Sequence, residues 1–205
     1  VSGNYAFVAD AGGGIQIIDI SNPYLPTLTG TYTPSGIYTT GVTINGNYAF
    51  VADYMQGLQI IDISNPSLPT LTGTYITPGY PLGVTVNGNH AYVADNSQGL
   101  QIIDISNPSS PTLTSTYNTP GDAHGVSISG NYAFVAEWSE GLQIIDISDP
   151  SAPTLIGTYI TPGSAYDVTV NGNYAYVADG TSGLQIIDVS FGCTIDSLIL
   201  TIDIC

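Results

Sequence analysis

The stretch GLQIIDIS at residues 57–64 is apolar on both sides of an extended chain, with Leu58 and Ile60 on one face and Ile61 and Ile63 on the other. A strand of that kind fits between two neighbouring sheets, because either face left in water would forfeit its burial. The stretch recurs as GIQIIDIS at 14–21, unchanged at 99–106 and 141–148, and as GLQIIDVS at 183–190. A second phrase, GNYAFVAD or a close variant, begins at residues 3, 46, 88, 130 and 172, so successive copies lie 43, 42, 42 and 42 residues apart. Five copies at a near-constant period indicate a solenoid, propeller or array, and that signal outranks any local reading.

Each period spells four short strands. Residues 38–44 are rich in β-branched side chains and predict a first strand. Asn45-Gly46 is a two-residue hairpin signal, 47–53 the second strand, and 58–64 the third after a short loop. The cluster NPSLP at 65–69 predicts a turn, 70–75 the fourth strand, and ITPG at 76–79 the passage to the next unit. No segment carries helical periodicity. Four antiparallel strands in a unit of this length are the arithmetic of a propeller blade. The expected fold is therefore all-β, a five-bladed β-propeller of four-stranded antiparallel blades with a C-terminal extended strand. The expected division is a propeller over 1–190 and a tail over 191–205.

The ends of the array are irregular. Val1 aligns with Val86, late in an inner strand, so the first blade enters with strands two to four only. The fifth blade carries strands one to three as far as Ser190. By order and direction the tail 194–205 belongs beside 184–190 as a fourth strand, yet it shares nothing with the NPxxPTLTGTY pattern. Its alternating Leu198, Leu200, Ile202 and Ile204 predict one continuous apolar strand that seeks a partner edge. Cys193 and Cys205 are 12 positions apart. In an extended strand that is about 40 Å, against roughly 4.4–6.8 Å for a disulfide. Either the tail folds into a hairpin closed by that pair, or it stays extended with the cysteines free or paired between subunits. The alternation favours the extended form, and with it the expectation that the tail adds a strand to a neighbouring subunit and builds a head-to-tail polymer.

The phrase LQIIDIS followed by Asn-Pro, with YVAD ahead of it, resembles the LVIVD repeat of bacterial and archaeal surface proteins. The resemblance runs five times, from residue 1 to about residue 190. It implies a β-propeller on an exported or cell-surface protein. It brings no catalytic residues, so none is carried over.

Charge narrows the partners. The 205 residues include no Lys or Arg and 16 Asp and Glu, a formal net charge of −16. Nucleic-acid binding lacks the cations that neutralise phosphates, and binding to anionic membrane surfaces is excluded by the same physics. No 18-residue apolar run occurs, so membrane insertion is not expected. One acid ends each second strand: Asp10, Asp53, Asp95, Glu137 and Asp179. Carboxylate oxygens suit calcium, the one cofactor the composition suggests; the competing reading is capping of backbone N–H groups in the adjacent loop. A second series, Asp19, Asp62, Asp104, Asp146 and Asp188, stands two residues before a Ser and reads as an Asx-type turn lock.

Sites in a repeat protein are sought where the copies differ. His124 fills the slot of Thr40, Leu82 and Tyr166; Asp167 fills the slot of Gly41, Gly83 and Gly125; Asp122 is close in sequence. The three are expected at the mouth of the central channel, either as a ligand- or metal-binding set or as plain polar surface. Trp138, in the unique loop 137–140, is either a platform for a sugar or a plug between blades. His90 replaces Tyr at a strand position and reads as packing. No nucleophile elbow, HExxH or phosphate loop occurs, and two His without Lys or Arg leave a thin acid–base repertoire. The expected function is a non-enzymatic structural protein, extracellular or on the cell surface, that self-assembles into a filament or surface layer with copies of itself. The alternative is a module that binds glycans or a small ligand through loops at the channel mouth.

Overall fold

The computed structural model describes residues 1–33 and 38–190, together with the backbone of 200–202. Five antiparallel sheets follow one another in chain order, each a blade. The first has three strands, β1 (Tyr5–Ala9), β2 (Ile15–Asp19) and β3 (Thr27–Tyr32). The second is β4 (Thr39–Asn45), β5 (Tyr48–Asp53), β6 (Gly57–Asp62) and β7 (Thr70–Tyr75). The third is β8 (Gly83–Asn87), β9 (His90–Ala94), β10 (Leu100–Asp104) and β11 (Thr112–Tyr117). The fourth is β12 (Ala123–Ser129), β13 (Tyr132–Glu137), β14 (Gly141–Asp146) and β15 (Thr154–Tyr159). The fifth is β16 (Asp167–Asn171), β17 (Tyr174–Ala178), β18 (Leu184–Asp188) and β19 (Leu200–Ile202). The only helical piece among the described residues is a 3-10 turn at Gly180–Ser182.

The inner hairpin turn sits one residue later than the Asn-Gly signal suggests. Asn45 pairs with Tyr48 across the ladder, so the two loop residues are Gly46 and Asn47. Gly46 has φ +58, and Asn47 is not among the residues of positive φ. A positive φ on the first loop residue alone is the pattern of a type II′ turn, which glycine adopts without steric cost.

Blade packing follows from side-chain size. Along β9, Ala91 and Val93 face the previous blade, whereas Tyr92 and Ala94 face the next. Large groups on a forward face thus meet small ones on the following rear face, which lets the layers interdigitate. Phe50, Leu58 and Ile60 of the second blade bury against Ala91, Val93, Ile103 and Ile105 of the third. The third strand is sandwiched as its sequence predicts, with Leu58 and Ile60 toward the third blade and Ile61 and Ile63 toward the first. At the rim a side chain at Gly73 would collide with the Pro108 carbonyl of the next blade. In the third blade Ser115 stands in the corresponding place and donates to the Pro150 carbonyl at 2.6 Å.

Four apolar clusters join the five blades, between the first and second, second and third, third and fourth, and fourth and fifth. Among the described residues none joins the fifth to the first, and no strand of the fifth blade packs on a strand of the first as consecutive blades do. The end faces show it. Val51, Val93 and Val135 are fully buried, but Val8 in the matching place on the first blade is 42% exposed, and Ala6, Ile18 and Ile20 are half-buried. On the forward face of the fifth blade, Tyr176, Leu184 and Ile186 are half-buried, where Tyr92, Leu100 and Ile102 of the third blade are buried.

The tail corrects one expectation. Residues 200–202 pair with β18 of the same chain, Ile202 opposite Leu184 and Leu200 opposite Ile186, as an antiparallel fourth strand. The backbone of Leu200 and Ile202 is therefore engaged in its own fifth blade, not available for strand addition to a neighbour. The physical reason is proximity: β18 offers a free edge on the same chain, and closing a short loop costs far less than recruiting a second molecule. Leu198, Ile204, Cys193 and Cys205 lie outside the described residues.

Candidate functional site

The loops that follow each second strand and those that link the blades meet on one face of the disc, and the repeated acids hold them together. Asp95 is buried at the end of β9 and accepts from the Gly79 N–H at 2.9 Å. Glu137 does the same for Gly121 at 3.1 Å, and Asp179 for Gly163 at 2.9 Å. Each glycine closes a Thr-Pro-Gly passage between blades, so one carboxylate ties a blade to the connection that precedes it. Asp53 accepts from Tyr38, Met55 and Gln56 N–H groups. Burial pushes Asp95 up to about 6, against the opposing pull of the Thr77 hydroxyl and the Gly79 N–H. Glu137 is raised for the same reason. Asp10 belongs to the series but is exposed, unlike its four buried copies. Among the described residues no three His, Cys, Asp or Glu side chains converge as a metal site, and these acids are distributed one to a blade. The observed hydrogen bonds to Asp53, Asp95, Glu137 and Asp179 come from backbone N–H groups.

The second acid series is an Asx lock in all five copies. Asp19, Asp62, Asp104 and Asp146 each accept from a Ser N–H at 2.8 Å, and Asp188 at 2.9 Å. Hydrogen bonds from those serines hold the carboxylates below the usual range.

The blade-specific residues gather between the fourth and fifth blades. His124, at the start of β12, stands edge-on to Trp138 at 5.8 Å and to Tyr166 at 5.5 Å. Burial lowers the His124 pKa, opposed by the Asp122 carboxylate. Its Nε2 is buried with no hydrogen-bond partner among the described residues. Trp138 is 45% exposed; its indole N–H donates to Ser164 Oγ at 2.6 Å, and its backbone N–H to the Asp122 carbonyl at 3.2 Å. Asp167 begins β16, with its carboxylate against Gly125 and accepting from the Val168 N–H at 2.9 Å. The structure thus brings His124, Asp122 and Trp138 together, a set that differs from the expected trio of His124, Asp122 and Asp167. Asp167 lies beside them, and Tyr166 and Ser164 complete the group. His90 packs near Tyr92, with ring centroids 6.4 Å apart.

A second aromatic group went unnoticed in the sequence. Tyr54 stacks on Tyr80 at 4.5 Å with 12° between the rings, and Tyr38 stands edge-on to Tyr54 at 6.1 Å. Tyr54 is the counterpart of Trp138 two repeats earlier, but the other post-acid positions are Ala11, Asn96 and Gly180, so the repeat gives no aromatic series there. On the opposite, hairpin-turn face, a cleft of about 370 Å³ lies between the fourth and fifth blades, lined in part by Asn131, Tyr132 and Asn173 and by no charged side chain.

The sequence matches the LVIVD repeat five times, over residues 1–34, 36–77, 78–119, 120–161 and 162–191. The chain belongs to the LVIVD-repeat family. No curated protein matches it. Among solved structures, this LVIVD-repeat chain is similar to the computationally designed Ika8 protein (TM-score 0.71, 10% identity, 92% of this chain and 57% of that one). It is also similar to the β-propeller domain of Cps50 (Swd1) from Myceliophteria thermophila (0.69, 13%, 89% and 65%). A third is apo AztD from Citrobacter koseri (0.63, 16%, 93% and 58%). At these identities the likeness establishes the propeller fold alone. The LVIVD-repeat chain spans less than two thirds of the length of each of these three.

Proposed function

We propose that this LVIVD-repeat chain is a non-enzymatic structural module that works outside the cell, or at its surface, by associating with copies of itself. The observation that carries this reading is the pair of uncovered sheet faces at the two ends of the blade array, built from the residue types that the internal interfaces bury. The acids support a structural role, because both repeated series are engaged in holding loops and turns. The extracellular assignment rests on the family resemblance. Sedimentation velocity of the purified chain over a wide concentration range tests the reading: larger species should grow with concentration, and a single monomeric species at every concentration would refute it.

A second reading, a glycan- or small-ligand-binding surface, is favoured by the half-exposed aromatic groups around Trp138 and around Tyr54 with Tyr80, since flat rings suit sugar faces. Retention of a sugar on a glycan array, lost in Trp138→Ala, would support it.

A further inference from the structure

Resting on the reading that the chain self-associates, we infer that association is head to tail. The forward face of the fifth blade seats the rear face of the first blade of the next copy, in the manner of the contacts between consecutive blades.

The repeat itself supplies the template. At each internal junction the forward face presents an aromatic ring from the second strand and two aliphatic side chains from the third. In the third blade these are Tyr92, Leu100 and Ile102, and they enter a rear face made by Ala133, Val135, Ile145 and Ile147 of the fourth. The fifth blade carries the same set as Tyr176, Leu184 and Ile186, and the first blade the same acceptor as Ala6, Val8, Ile18 and Ile20. The second- and third-strand residue types match, but the first blade has no inner strand to supply counterparts of Ala123 and Val126. Ala178 adds to the point: it is exposed, whereas Ala52, Ala94 and Ala136 in its place are fully buried. Gln16 repeats the pattern on the first blade, part-exposed where Gln59, Gln101, Gln143 and Gln185 are buried.

The two faces differ from each other, so the contact is heterologous. The same patch does not meet itself, and the association either closes a ring of copies or continues as a filament. A second copy is the favoured occupant, because equivalent second- and third-strand residues of forward and rear faces meet in the four clusters between consecutive blades.

Two single variants test the direction. Val8→Lys spoils the rear face and Ile186→Lys the forward face. Each also reduces the net negative charge, so a loss of association cannot be blamed on added repulsion. Tyr176→Ser and Val8→Ser serve as milder counterparts should a lysine disturb folding, which circular dichroism reports. By sedimentation velocity, each variant alone should associate at least tenfold more weakly than the unaltered chain. An equimolar mixture of Val8→Lys and Ile186→Lys should recover a species of two copies and no larger, because each partner retains one intact face. If the single variants associate as the unaltered chain does, or if the mixture stays monomeric, head-to-tail stacking is wrong while self-association by another surface stands. If the unaltered chain is monomeric at every concentration, both the stacking and the self-association fail, and the faces serve a different partner.

Discussion

Asp95 shows how one residue does two things at once. Its carboxylate secures the Gly79 N–H, but burial makes the charged form costly and lifts its pKa to about 6. An unfolded Asp titrates near about 3.9. The folded value is the higher one, so this group's contribution to stability is fully present below about pH 4 and is lost as the pH rises through about 6. Asp95→Asn removes the titration. Urea midpoints should therefore show the variant gaining on the unaltered chain from pH 4 to 6 and holding a constant advantage above pH 7. Parallel curves would contradict the buried carboxylate. Gly57 makes a different demand. It has φ +83, and a Cβ there would strike the Tyr75 carbonyl. Gly57→Ala should cost more than the roughly 1–2 kcal/mol of a left-handed non-glycine residue, read as a lowered denaturation midpoint. The glycine was visible in the repeated phrase, but its reason was not, because the carbonyl it avoids belongs to a strand 18 residues later.

At the scale of elements, strand identity and order were legible because period, turn residues and apolar alternation all point the same way. The fourth strand Thr70–Tyr75 matches its expected limits, while the third runs Gly57–Asp62 rather than to residue 64, since Asp62 turns to cap Ser64. The tail was less legible. Order and direction placed 200–202 correctly beside β18, but the alternation of leucine and isoleucine suggested a foreign edge, and alternation alone cannot say whose edge an apolar strand finds. The distinction between internal and terminal blades also has a measurable consequence. Leu100 is fully buried and Leu184 only half-buried. Leu100→Ala should destabilise by about 2–5 kcal/mol, and Leu184→Ala by clearly less in dilute monomer. Equal costs would mean that the forward face of the fifth blade is already covered.

For the whole molecule, the sequence reported five units but not how they close. Every blade carries both faces in its sequence, so nothing in the repeat distinguishes a sealed ring from an open series. That distinction appears only when, among the described residues, four clusters are found between five blades. The charge sets the conditions under which the ends can meet. With a formal charge of −16 on each copy, approach is opposed by long-range repulsion that salt screens, the Debye length falling from about 30 Å at 0.01 M to about 3 Å at 1 M. Self-association should strengthen as sodium chloride is raised across that range, and weakening with salt would point to ion pairing with something other than another copy. The group between the fourth and fifth blades was legible in part. His124, Asp167 and Trp138 stood out as departures from the repeat, with Asp122 close in sequence, but Tyr166 and Ser164 did not, because their contacts cross from one blade to the next. The most direct test of the open array is hydroxyl-radical footprinting of Tyr176 against its buried counterpart Tyr92. In dilute solution Tyr176 should oxidise readily and Tyr92 slowly, with Tyr176 alone becoming protected as the concentration rises; protection of Tyr176 equal to that of Tyr92 at the lowest concentration would show that the fifth and first blades already seal the ring.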